Sequence, residues 1–140
     1  MSPTELGDYA EQLFAAEAVK RGLLVSSPVA PASPYDWIVD NGEKLLRVQV
    51  KSTNKLMKGS RHPRYRVFAA KRQHKDQTRA VYSASEVDFF AVYIHGLESW
   101  FIIPFSAVKT DRVYVNAGKR PGKYAKCRDD WAALGSREHE

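Results

Sequence analysis

Tyr35-Asp36-Trp37-Ile38-Val39-Asp40-Asn41-Gly42, followed by Leu45-Leu46-Arg47-Val48-Gln49-Val50-Lys51, is the stretch that decides the fold. An Asn-Gly pair between two alternating apolar runs is the strongest short-range hairpin signal. A turn centred on Asn41-Gly42, two or four residues long, sets Asp36 opposite Arg47 and diagonal to Gln49. Lys51 follows on the same face, because side chains repeat every two residues along a strand. Trp37, Val39, Leu46, Val48 and Val50 then point the other way, into a core. A carboxylate, an amide oxygen and an ammonium on one face suit a divalent cation and a phosphate.

Upstream of the hairpin, Ser2-Pro3-Thr4-Glu5 starts a helix, with Ser as N-cap, Pro in the first turn and Glu three residues after the cap. Leu6, Tyr9, Ala10, Leu13, Phe14 and Ala18 recur at helical spacing, and Gly22 caps the end, predicting a helix over about residues 3–21. Glu11 lies beside its apolar stripe. Leu23-Leu24-Val25 begins a strand, which Pro28, Pro31 and Pro34 end.

Downstream, Lys55 to Pro63 lacks apolar periodicity and reads as a mobile loop. Tyr65 to Ala69 is a short strand or helix, Lys71 to Arg79 is polar and basic, and Ser83 to Glu86 is a turn or short helical cap. Asp88 to Ile94 is almost continuously apolar and β-prone, as expected of a strand covered on both faces. Gly96 marks a turn, and Trp100 to Ile103 pairs back as a second hairpin. Pro104 to Thr110 predicts a short helix, Arg112 to Val115 an edge strand, Asp129 to Leu134 a terminal helix, and Gly135 to Glu140 a frayed end. This order points to an α/β domain, a mixed sheet flanked by helices, spanning 1–140 without an internal linker.

The single cysteine, Cys127, excludes an internal disulfide and a cysteine-built zinc site and fits a reducing, cytoplasmic setting. Glu5, Asp8 and Glu11 interrupt any leader-like stretch, and no run approaches the roughly 18 apolar residues of a membrane span. The expectation is a soluble protein with no membrane partner. The net charge of +6 hides an asymmetry: residues 44–79 hold twelve Lys or Arg against the one acid Asp76, and the remainder is net acidic. A basic segment that begins inside a candidate site hairpin points to a polyanion touching that site. The plainer alternative is a solvated basic loop.

Mg²⁺ takes hard oxygen ligands, typically one or two protein carboxylates plus phosphate oxygens. Asp36 offers a carboxylate, Gln49 an amide oxygen and Val50 a main-chain carbonyl, and Glu11 adds charge if the first helix packs across the mouth of the hairpin. Lys51 is placed to hold a water or to stabilise charge on phosphoryl oxygens. Each residue alone has a plainer reading: Asp36 as a strand-edge acid paired with Arg47, Gln49 as half-exposed, Lys51 and Glu11 as solvated. The joint placement lifts the hypothesis. Ser52 and Thr53 are weak phosphate candidates. His62, His74, His95 and His139 lack metal-ligand spacing, although His62 and His74 are candidates to touch phosphate. No Gly-rich phosphate loop, nucleophile elbow or zinc signature is present.

A helical Glu11, an Asp36 opening one strand and Gln49-Val50-Lys51 on the next resemble, in that order, the PD-(D/E)xK nuclease superfamily. With Gln in place of the second acid, Gly7-x-x-x-Glu11, Tyr35-Asp36, Val48-Gln49-Val50-Lys51, Val87 to Tyr93 and Pro104 resemble its group I intron homing endonuclease branch. The resemblance covers about residues 4–108, leaving 109–140 as a C-terminal extension. It implies a restriction-endonuclease-like αβββαβ core, Mg²⁺ (or Mn²⁺ as substitute), double-stranded DNA as substrate, and a homo-dimer or homo-tetramer. It also implies catalytic roles for Glu11, Asp36, Gln49 and Lys51, metal ligation by Asp36, Gln49, Val50 and Glu11, and support from Arg47, Ser52 and Asp88, the last with a plain strand-start reading as the alternative. Tyr35 and Gln49 depart from the pattern, which usually has Pro and an acid there. In the basic excursion, about 54–79, Lys55, Lys58, Arg61, Arg64, Arg66, Lys71 and Arg72 are the expected DNA contacts, mostly to phosphates. The alternatives are a Holliday junction resolvase, a catalytically silent DNA-binding module, and an RNA-processing or defence nuclease on the same scaffold.

Overall fold

The computed structural model describes residues 1–59, 61–72 and 79–136. Helix α1 (Pro3–Lys20) opens with a reciprocal capping box: Glu5 N–H donates to Ser2 Oγ at 3.2 Å, and Ser2 N–H donates to Glu5 Oε1 at 2.9 Å. Gly22, with φ +84°, follows its C-terminal cap residue. Strands β1 (Leu24–Ser26), β2 (Trp37–Asp40) and β3 (Leu45–Thr53) come next. The basic excursion contains β4 (Leu56–Met57), β5 (Arg64–Phe68), β6 (Ala70–Arg72) and β7 (Arg79–Val81). Strands β8 (Phe89–Ile94), β9 (Ser99–Pro104) and β10 (Arg112–Asn116) complete the set.

The central sheet is mixed, in the order β1-β2-β3-β8-β9, with β3 and β8 parallel and the other neighbours antiparallel. Strand β8 lies inside it, and Phe90 to Ile94 are all buried, as its unbroken apolar run requires. Alternation splits the core in two. Val48, Val50, Ala91, Tyr93, Trp100 and Ile102 face Ala10, Phe14 and Ala18 of α1, whereas Phe90, Val92, Ile94, Phe101 and Ile103 face a second sheet. That sheet, β10-β5-β4, buries Tyr65, Val67, Val113 and Val115 and turns Arg64, Arg66, Arg112 and Tyr114 outward. The crossover between the parallel strands β3 and β8 therefore carries β structure.

Several expectations are refined. Tyr65 to Ala69, open between strand and helix, lies mostly in β5, and the expected loop from Lys55 holds β4. The helices expected after Pro104 and Asp129 are 3₁₀ turns, Phe105–Ala107 and Trp131–Leu134, too short to close α-helical ladders. Residues 137–140 and His74 lie outside the described residues.

The hairpin register corrects one expectation. The pairs are Trp37↔Val48, Ile38↔Arg47, Val39↔Leu46 and Asp40↔Leu45, so Arg47 stands opposite Ile38, not Asp36. The cause lies in the turn. Asp40 Oδ1 accepts the Gly42 N–H at 2.8 Å, and Asn41 Oδ1 accepts the N–H groups of Glu43 and Lys44 at 2.9 and 2.8 Å. These side-chain bonds build a loop over residues 41–44 in place of a turn centred on Asn41-Gly42. The slip is two residues, so every side chain keeps its face. Trp37, Val39, Leu46, Val48 and Val50 all join the core beside α1.

Candidate active site

Asp36 stands just before β2 and is fixed at both ends. Its N–H donates to the Val48 carbonyl at 2.9 Å, and its Oδ2 accepts the Val50 N–H at 2.7 Å. Alternate carbonyls of a strand point the same way, so the Val50 carbonyl points toward the β2 side, past the start of β2 at Trp37. Helix α1 is tied to the hairpin by the Trp37 indole N–H, which donates to the Glu11 carbonyl at 3.0 Å. That bond carries Glu11 to Asp36. A cavity of about 290 Å³ gathers Asp8, Glu11, Asp36, Gln49, Lys51 and Ser52, with Gly7 leaving open space on the helix face.

The electrostatics follow from this crowding. Burial, with a hydrogen bond to Asp36 and the charges of Asp36 and Asp8, pushes the Glu11 carboxyl up to about 8. Burial pulls the Lys51 ammonium below the usual lysine range, against the opposing attraction of Asp36 and Glu11. Lys51 Nζ lies 3.5 Å from the Ala70 carbonyl and 5.5 Å from the centre of the Tyr82 ring. Lys71 Nζ lies on the same ring at 5.6 Å and is ion-paired with Glu86. Burial, helped by Asp36 and Glu86, pushes the Tyr82 hydroxyl up to about 12, so it stays protonated.

Two carboxylates, an amide and a main-chain carbonyl form an all-oxygen donor set, the chemistry of Mg²⁺ or Mn²⁺ and not of a soft metal. A carboxyl forced to keep its proton beside another carboxylate is the strain that a divalent cation relieves. The residues present therefore fit such an ion. Among the described residues no group of three or more His, Cys, Asp or Glu is placed to hold a metal.

The remaining candidates divide. Arg47 sends Nε and Nη2 to Asp88 at 3.0 and 2.9 Å, while Asp88 also accepts the Arg47 N–H at 2.8 Å. Against the burial that would raise it, these bonds hold the Asp88 carboxyl below the usual range, and they bind β3 to the start of β8. Ser52 lines the acid cavity and, with Lys51, a neighbouring groove of about 520 Å³ that includes Lys55 and Arg66. Arg61 and Arg64 line a separate hollow of about 410 Å³ with Asn116 and Arg120. Lys58 is exposed, and the Arg72 side chain lies outside the described residues. Asp8 and Tyr82 escaped the sequence reading. Asp8 was visible one turn before Glu11 on the same helix; Tyr82 had no local signal, because long-range packing brings it to Lys51.

This fold and this arrangement of acid, amide and lysine define a nuclease-type scaffold. The chain belongs to the PD-(D/E)XK endonuclease family, whose model matches residues 1–134. A bacterial homing endonuclease, I-Ssp6803I, has a similar solved structure, with a TM-score of 0.73 and 23% sequence identity over 95% of this chain and 93% of that one. Hjc, a Holliday junction resolvase from Archaeoglobus fulgidus, matches with a TM-score of 0.58 and 12% identity over 96% of this chain and 98% of its own. No curated protein matches the sequence.

Proposed function

We propose that this chain is a Mg²⁺-dependent endonuclease that hydrolyses phosphodiester bonds of double-stranded DNA in a site-specific, homing- or restriction-like manner. The observation that carries the reading is the meeting of Glu11 and Asp36 beside Gln49 and Lys51 in one cavity. Asp36, Gln49, the Val50 carbonyl and Glu11 would hold the cation, with Mn²⁺ a chemical substitute. When bound, the ion supplies charge neutralisation and Lewis-acid polarisation at the scissile phosphate. Lys51 donates from its ammonium to the attacking water or to a phosphoryl oxygen, where negative charge builds. The Val50 N–H holds Asp36 in place, and the Trp37 bond holds Glu11. Lys55 and Arg66, in the groove that shares Lys51, bind the phosphates flanking the cut. The single domain acts as a homo-dimer or homo-tetramer, because one site per chain must serve two strands. Among the described residues no helix is long and apolar enough to cross a membrane; the reading keeps the cytoplasmic setting that the single cysteine suggests.

The test is cleavage of plasmid, four-way-junction and RNA substrates with and without Mg²⁺, beside Asp36→Ala. Mg²⁺-dependent cutting of plasmids carrying a random-sequence insert library, at a restricted set of sequences and lost in Asp36→Ala, is the expected result. Preference for the junction would favour the resolvase reading. The amide at position 49 gives one further reading its footing, a DNA-binding module that does not cut; tight binding with no cleavage of any substrate, including a library of random duplexes, would establish it.

A further inference from the structure

Residues 112–128 contain six Lys or Arg and no acid, a second basic segment far from the first in sequence. The fold brings the two together. Strand β10 pairs with β5 so that Asn116 stands beside Arg64, Tyr114 beside Arg66, and Arg112 beside Phe68. On this outward face the Arg64 guanidinium lies 3.9 Å from the Tyr114 ring centre, and those of Arg66 and Arg112 lie 4.7 and 5.6 Å from the Phe68 ring. A guanidinium stacked on a ring has its plane fixed while its N–H edge stays available, the geometry Arg64 and Arg66 present to phosphate oxygens, whereas Arg112 Nε also lies 3.8 Å from Asp111. The loop after β10 extends the face. Arg120 and Asn116 line both the hollow that holds Arg61 and Arg64 and a second one, of about 210 Å³, walled by Tyr114 and Tyr124. From there Arg66 continues the face to the groove shared with Lys51.

We infer that the outer face of the second sheet, together with the loop carrying Lys119 and Arg120, is a phosphate-backbone binding surface for duplex DNA that extends the footprint beyond the cutting site. This rests on the nuclease reading for its choice of partner. The charge argument favours nucleic acid over an acidic protein, because the cations form a track that leads to the catalytic lysine. Lys119 and Arg120 are exposed and lie outside the cutting site, so their removal should cost binding without disturbing the core.

The experiment measures affinity for a random-sequence duplex of about three helical turns across a salt series, in chelator so that no cutting occurs. Removing one phosphate-binding cation lowers the slope of log affinity against log salt by about 0.9. Lys119→Gln with Arg120→Gln should therefore lower the slope by about two, whereas Lys20→Gln with Arg21→Gln, at the exposed end of α1 and outside both basic segments, should leave it nearly unchanged. An unchanged slope in the first pair, or an equal fall in both, overturns the surface. Because cleavage plays no part, a failure here is distinct from a failure of the nuclease reading, which the Asp36→Ala assay decides. Circular dichroism and melting of each variant separate weakened binding from a damaged fold.

Discussion

In the proposed mechanism, Lys51 is the residue on which the chemistry turns. It is the cation facing Asp36 and Glu11 across the cavity, so Lys51→Ala should reduce cutting by about a hundredfold or more while DNA affinity changes only a few-fold. Unchanged cutting by a folded variant would remove it from the mechanism. At position 49, Gln49→Glu adds a carboxylate and should tighten Mg²⁺ binding, read by calorimetric titration; an unaltered titration in Gln49→Ala would show that the amide is no ligand. Glu11 makes a prediction about pH. Its carboxyl titrates near 8 in the folded, cation-free protein against 4.5 for the free group. The folded state thus holds the proton more tightly than the unfolded chain, and stability present below about 4.5 declines as pH rises toward 8. Glu11→Gln should flatten that decline in thermal melts between pH 5 and 8, and Mg²⁺ should stabilise the wild type most at the alkaline end.

At the scale of elements, the hairpin shows what a sequence can reveal. The alternation of Trp37, Val39, Leu46, Val48 and Val50 made the buried face legible, and with it the shared face of Asp36, Gln49 and Lys51. The register was not legible, because Asn41-Gly42 reads as a tight turn until the Asp40 and Asn41 side chains are seen bonding N–H groups two and three residues on. The slip was even, so the site survived it and Arg47 changed partner. A similar limit hid Tyr82, and it left β5 open, because its partner β10 lies far along the chain. The new Arg47 pair has a consequence: Asp88→Ala removes three hydrogen bonds that join β3 to β8 and should cost about 2 kcal/mol in denaturant unfolding. Its Mg²⁺ titration should stay unchanged; a weakened titration would make Asp88 part of the cation site.

For the molecule as a whole, two basic segments share one side of the second sheet while the acid cavity opens next to the groove between them and the hairpin. Binding should therefore weaken steeply with salt, and a flat response would detach the excursion from DNA. The aromatic residues are distributed just as unevenly. Trp100 and Trp131 are buried around Phe14, whereas Trp37 is half-buried and bonded to the Glu11 carbonyl. A small neutral quencher in solution should thus reach one indole and spare the other two. The quenchable share of the intrinsic fluorescence becomes an optical gauge of the acid cavity, needing no label and no substrate: it should change as Mg²⁺ is added to the wild type and stay constant in Asp36→Ala.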